Sequence, residues 1–204
     1  MANLYLVAGL GNPGREYAAT RHNAGFMVVA ALAERWGGSW RDESRFQSRL
    51  SVIERQGDRV WLCQPQTFMN ASGEAVRAVM DFYRVPVERL MVVVDDADLP
   101  LGQLRLRPQG SSGGHHGLDS VQRHLGTNGF ARQKVGVSPE LRPDGRREIS
   151  NFVLGRFADA DAPVLGMVLQ RAGDQIECWR QQGVQTAMNN FNGACRPAEE
   201  LKRR

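Results

Sequence analysis

The sequence predicts an α/β fold, a single domain built on a twisted, mostly parallel mixed sheet flanked by helices. Three observations lead there. Short apolar runs alternate with segments of helical period along 204 residues. Leu90 to Val94 is an unbroken apolar run, as in a strand covered on both faces. A composition of 42% hydrophobic and 24% charged residues suits a chain that buries one large core.

Leu4, Leu6 and Val7 make Asn3 to Gly9 a buried strand, stopped by Gly-Asn-Pro-Gly at 11–14. Phe26, Val29, Ala30 and Ala33 recur at helical spacing, with Thr20 as expected N-cap and Gly37-Gly38 as the stop. Segments 45–54 and 59–64 flank Gln56-Gly57-Asp58 and predict a hairpin. Val76, Val79, Met80 and Tyr83 mark a second helix, leading into the Leu90–Val94 strand. Leu104–Arg107 and Lys134–Val137 are expected strands on either side of a short helix over 118–125. Proline, glycine and charge then dominate, so 139–150 is expected to be an exposed loop. Leu165, Val168, Leu169, Ala172, Ile176 and Trp179 predict a long amphipathic helix, and Val184, Ala187, Met188 and Phe191 a shorter one. The domain is expected to span 1–192, with 193–204 a basic tail.

Composition excludes several classes. The longest apolar stretch, Ala24 to Ala33, falls short of the roughly 20 residues a membrane-spanning helix needs, and the first residues lack a positive n-region, so a cytosolic protein is expected. Cys63, Cys178 and Cys195 are odd in number and show no Cys-x-x-Cys spacing. That predicts reduced thiols, neither a disulfide framework nor structural zinc. Of 26 basic residues only Lys134 and Lys202 are lysine. Arginine forks phosphate well, but a GC-rich coding sequence gives the same bias, so position is more informative. Between Arg105 and Lys134 stand Arg105, Arg107, Arg123, Arg132 and Lys134 against a single acid, Asp119, which predicts a positive face.

Candidate chemistry clusters at predicted strand ends. Gly9-Leu10-Gly11-Asn12-Pro13-Gly14 formally fits the dinucleotide pattern, but no helix opens within the turn and no acidic second strand follows. The turn instead leaves Asn12 free to project an amide. His22 stands four residues before Phe26, at the start of the first helix, and reads either as a general base kept neutral by the helix N-terminus or as a satisfied structural histidine. Asp95 ends the Val92-Val93-Val94 run, at the strand edge where open α/β sheets build sites. A carboxylate there can fix the tautomer of a histidine. Asp95, Asp96 and Asp98 invite a metal, yet no further ligand occurs at a recognisable spacing, so none is expected. Asn70 reads equally as an N-cap or as an amide orienting a carbonyl or water. Gly110 to Gly117 is a glycine-rich, anion-competent turn, and its adjacent His115 and His116 should point apart.

Taken together, Gly9 to Gly14, Tyr17, Thr-Arg-His-Asn-Ala-Gly (20–25), Thr-Phe-Met-Asn (67–70), Asp95 to Pro100 and Gly-Gly-His-His-Gly-Leu (113–118) resemble bacterial peptidyl-tRNA hydrolase. The likeness runs from about Asn3 to Phe191. It implies a monomeric, cofactor-free α/β hydrolase that cleaves the ester between a peptide and the 3′ ribose of tRNA. It further implies that His22 activates water, that Asp95 orients His22, and that Asn12 lies near the α-nitrogen of the last amino acid. By the same resemblance Asn70 orients the ester or peptide main chain, Tyr17, Phe68 and Met69 line the substrate pocket, and Arg105, Arg107 and Lys134 grip tRNA phosphates. Loop 139–150 would be a lid. One position departs from the family: His116 stands where a substrate-binding asparagine is usual, and Ser112 where histidine is common. A histidine cannot donate and accept through one planar amide, and it titrates. The departure leaves a second expectation, an RNA-binding protein without turnover, like the splicing factors that resemble this family.

Overall fold

The computed structural model describes residues 3–138 and 152–195. Its sheet has eight strands in the order β2-β3-β4-β1-β5-β7-β6-β8. The central four run parallel: β1 (Leu4–Gly9) lies between β4 (Asp58–Pro65) and β5 (Leu90–Pro100), and β5 pairs with β7 (Ala131–Ser138). Antiparallel strands extend both edges, β2 (Arg41–Glu43) and β3 (Ser48–Arg55) on one side, β6 (Gln103–Arg107) and β8 (Gly193–Ala194) on the other. The mixed sheet is therefore parallel only at its centre.

Strand alternation sends successive side chains to opposite faces. Val7, Met91 and Val93 enter a core closed by α1 (Ala24–Arg35), α4 (Ala162–Gln182) and α5 (Val184–Phe191). Leu6, Ala8, Leu90, Val92 and Val94 enter the other core, closed by α2 (Ser72–Tyr83) and α3 (His116–Leu125). Burial on both faces explains why β5 begins as a continuous apolar run. Cys63 is buried in β4, and burial pushes its thiol up to about 12 despite a hydrogen bond with Ser48 that acts the other way. All three cysteines are free thiols.

Several expected boundaries move. β5 continues to Pro100, and its register against β7 shifts between Asp96 and Pro100, a bulge that begins one residue past the candidate carboxylate. Thr20 does not cap by its side chain: its hydroxyl donates to the Tyr17 carbonyl, and a separate 3-10 turn, Arg21–Asn23, carries His22 before α1 begins. The chain beyond 192 is not wholly a tail. Gly193 and Ala194 pair with Leu104 and Gln103, and the Cys195 N–H donates to the Gly102 carbonyl. The rest of the expected tail, and the expected lid loop 139–150, lie outside the described residues. Arg132, counted with the exposed basic stretch, is 1% exposed.

Candidate active site

The site forms where α1 crosses the carboxyl ends of β1 and β5. The crossing is backbone to backbone: a Cβ at Gly25 would overlap the Val93 carbonyl and the Leu10 backbone, and one at Gly9 would overlap the Gly25 carbonyl. Only glycine permits so close an approach, which sets the 21–23 turn over the end of β5. His22 Nδ1 then lies 2.8 Å from Asp95 Oδ1. The same oxygen meets a second imidazole, His115 Nε2, at 3.1 Å. Asp95 is 3% exposed, and the two rings are 5.3 Å apart.

Hydrogen bonding fixes both tautomers. His115 is the N-cap of α3, and its Nδ1 accepts from the Gly117 and Leu118 N–H groups at 3.1 and 3.3 Å. An imidazole nitrogen that accepts carries no proton, so Nε2 carries the N–H that donates to Asp95. His22 likewise donates through Nδ1, which leaves Nε2 with a free lone pair. Burial alone would raise the Asp95 pKa, but the hydrogen bonds from His115 and His22, and the attraction of those rings, hold it well below the usual carboxylate range. The carboxylate is charged throughout the neutral range.

Among the described residues, His22, Asp95 and His115 form the one group of three potential metal ligands, their atoms within 4.8 Å of one another. The donor chemistry fits a cation poorly. Coordination through His115 Nε2 would drive its proton to Nδ1, against two backbone N–H donors. Coordination through His22 Nδ1 would place a proton on the lone pair that makes the ring a base.

Asn12, 9% exposed, borders the same end of the sheet. Its backbone N–H and carbonyl are both held by the carboxamide of Asn23, and its own Oδ1 accepts from the Met69 N–H at 2.8 Å. An N–H can pair only with the oxygen of an amide, so the orientation of Asn12 is settled and Nδ2 is the donor it can offer. A cleft of about 280 Å³ adjoins, lined by Asn12, Asn23, Phe26, Arg49, Gln64 and Gln66 among others.

Comparison with known proteins agrees with this geometry. Residues 6–200 match the family model described as peptidyl-tRNA hydrolase. The chain belongs to the peptidyl-tRNA hydrolase family. A peptidyl-tRNA hydrolase of Synechococcus sp. (strain JA-3-3Ab) is 51% identical over 189 residues, covering 93% of this chain and 83% of that protein. One from Listeria welshimeri is 45% identical over 187 residues, covering 92% and 99%. The crystal structure of the Acinetobacter baumannii peptidyl-tRNA hydrolase superposes with a TM-score of 0.86 at 34% identity, over 96% of this chain and 97% of that one.

The remaining residues that the family resemblance singles out fall into two groups. Met69 is buried beneath the site, whereas Phe68 is 62% exposed, Tyr17 is half-buried, and Asn70 and His116 are exposed. Asn70 does not cap α2. It sits inside a 3-10 turn, Met69–Ala71, and Ala71 occupies the cap position. His116 opens α3, one residue past the cap, and it is His115, not His116, that bonds to Asp95. Arg105 and Arg107 are exposed on one face of β6, alternating with buried Leu104 and Leu106. Lys134 stands opposite Arg105 across the strand pair, but its ammonium lies 3.1 Å from Asp96 and is mostly buried.

His115, Asn23 and Asp96 fall within motifs noted in the sequence, but none of them is assigned a site role there. The first had a signal: a polar residue directly before a helical segment is an N-cap candidate, and an imidazole that caps with one nitrogen aims the other elsewhere. The roles of Asn23 and Asp96 depend on contacts across the chain and have no local signature.

Proposed function

We propose that the chain hydrolyses the ester joining a peptide, or an N-blocked amino acid, to the 3′-terminal ribose of tRNA, with His22 as general base. The observation that carries the proposal is the His22–Asp95–His115 arrangement, which, among the described residues, leaves His22 Nε2 as the unengaged imidazole acceptor beside a carboxylate that is charged at neutral pH. Water bound at Nε2 gives up a proton as its oxygen attacks the ester carbon. The tetrahedral intermediate collapses, the ribose oxygen leaves, and it recovers that proton from the imidazolium. Asp95 stabilises the imidazolium between the two steps.

The surroundings suit this chemistry. Asn12 can donate from Nδ2 to a substrate carbonyl, and its Oδ1 can receive the α-N–H through the lone pair that Met69 does not use. Asn70, free of capping duty, can orient the ester or the peptide main chain. The exposed Phe68 ring offers the terminal base a stacking surface of about 1–3 kcal/mol, and Tyr17 is proposed to line the same pocket. His116 offers one hydrogen bond where a carboxamide offers two. A monomer acting in the cytoplasm, where the substrate is made, fits this reading. No helix among the described residues is long and apolar enough to cross a membrane.

Arg105 and Arg107 are proposed to hold tRNA phosphates, contacts that give affinity without sequence preference. Arg107→Ala should weaken tRNA binding and flatten its salt dependence by roughly 0.7 to 0.9 in log–log slope, measured by titration at several salt concentrations. Lys134→Ala should change the slope less, because Asp96 already neutralises much of that charge. An equal or larger change for Lys134 would reverse their ranking.

Incubating the purified protein with N-acetylated and free aminoacyl-tRNA tests the activity itself. Rapid cleavage of the acetylated form with the free form spared is the expected result. Binding of tRNA without cleavage of either would favour an RNA-binding protein related to the splicing factors.

A further inference from the structure

We infer that Arg132 is a positioning residue for the reaction, acting through the 110–115 loop to hold His115 on Asp95. Arg132 is among the largest fully buried side chains of the protein, yet no carboxylate among the described residues pairs with it. Its guanidinium bonds instead to main-chain carbonyls: Gly110 and Ser111 through one terminal nitrogen, Asn128 and Phe130 through the other. The Phe130 ring lies 4.5 Å from its central carbon, and Nε has no partner. A buried cation without a counter-charge is costly. Apolar packing would fill the space more cheaply, so the charge is retained for what it holds.

What it holds are the two loops that bracket α3. The leading loop is conformationally loose by composition: Gly110, Gly113 and Gly114 have φ of 150°, 62° and 80°, values that side chains resist. Glycine lets the turn form but does not keep it in one place. Arg132 does so from below, and Gln122 of α3 adds a bond from its side chain to the same Gly110 carbonyl at 2.8 Å. The loop ends at His115, whose ring is aimed by its bonds to Gly117 and Leu118. A shift of Gly110 and Ser111 therefore moves the donor that shares Asp95 Oδ1 with His22. Arg132 lies in β7 opposite Val92, so the same strand pair that carries Asp95 carries the residue that sets the second histidine.

The inference rests on the proposed role of His22 and Asp95, and a double-mutant comparison separates the two. Arg132→Met and His115→Gln are each expected to lower kcat on N-acetyl-aminoacyl-tRNA by between about ten- and a hundredfold, with KM little changed. The combined variant should be no slower than His115→Gln alone, because Arg132 acts only through His115. Arg132→Lys should recover part of kcat, and the His115 Nε2–H signal in imidazole NMR should weaken in Arg132→Met and return in Arg132→Lys. Additive losses in the combined variant, or full kcat in Arg132→Met beside an impaired His115→Gln, would overturn the role of Arg132 while leaving the site intact. Full kcat in His115→Gln would instead remove His115 from the site and the inference with it. Should Arg132→Met fail to fold, Arg132→Lys, which keeps the charge but cannot reach all four carbonyls, is read in its place. A kcat loss absent from the His115→Gln background supports the inference, and unchanged kcat overturns it.

Discussion

Replacing His22 by alanine is expected to lower kcat for N-blocked aminoacyl-tRNA by about 10²–10⁴-fold, the range for losing a general base, while the Kd for tRNA stays near that of the native protein. The two effects separate because the proposed phosphate contacts, Arg105 and Arg107, belong to β6, whereas His22 belongs to the turn before α1. Single-turnover hydrolysis and tRNA titration on the same preparation check both halves. Near-native turnover would remove His22 as the base, and a parallel collapse of tRNA binding would make it a structural residue.

The second large effect is expected from Asp95→Asn. The substitution keeps shape and removes charge, so the imidazolium loses its stabilising partner, and an amide N–H turned toward His22 would favour the wrong tautomer. A fall in kcat of about 10²–10⁴-fold is expected. Stability should respond with a definite sign. The folded carboxyl titrates far below its unfolded value of about 3.9, so its contribution is present above that value and is lost as pH falls through the folded one. The gap in unfolding free energy between native protein and Asp95→Asn should be widest near neutrality and narrow below about pH 4. Urea unfolding at pH 7 and pH 3 measures it. A gap that widens on acidification would contradict the assigned charge.

Much of this site is legible before any coordinates, and the reason is local. A polar residue ending an apolar run marks Asp95, and glycine and proline mark the turn that carries Asn12. That His22 reaches Asp95, 73 residues away, depends on two backbones touching at Gly9 and Gly25, a contact no periodicity encodes. Asn70 reads equally as a cap because caps and short 3-10 turns use the same residues. Arg132 is the plainest divergence: by charge it belongs with Arg105 and Arg107, and only the closure of two loops over its guanidinium makes it interior. Lys134 differs because Asp96, two residues beyond its cross-strand partner Val94, shares its face of the sheet and lies 3.1 Å from its ammonium.

The central claim is that two histidines share one carboxylate in opposite tautomers, leaving His22 Nε2 bare. Long-range ¹H–¹⁵N spectra of the imidazoles, at a pH where the rings are neutral, read this directly. The account predicts a protonated Nδ1 and an unprotonated Nε2 for His22, with the reverse for His115. A His22 ring protonated at Nε2, or exchanging freely between tautomers, would contradict it.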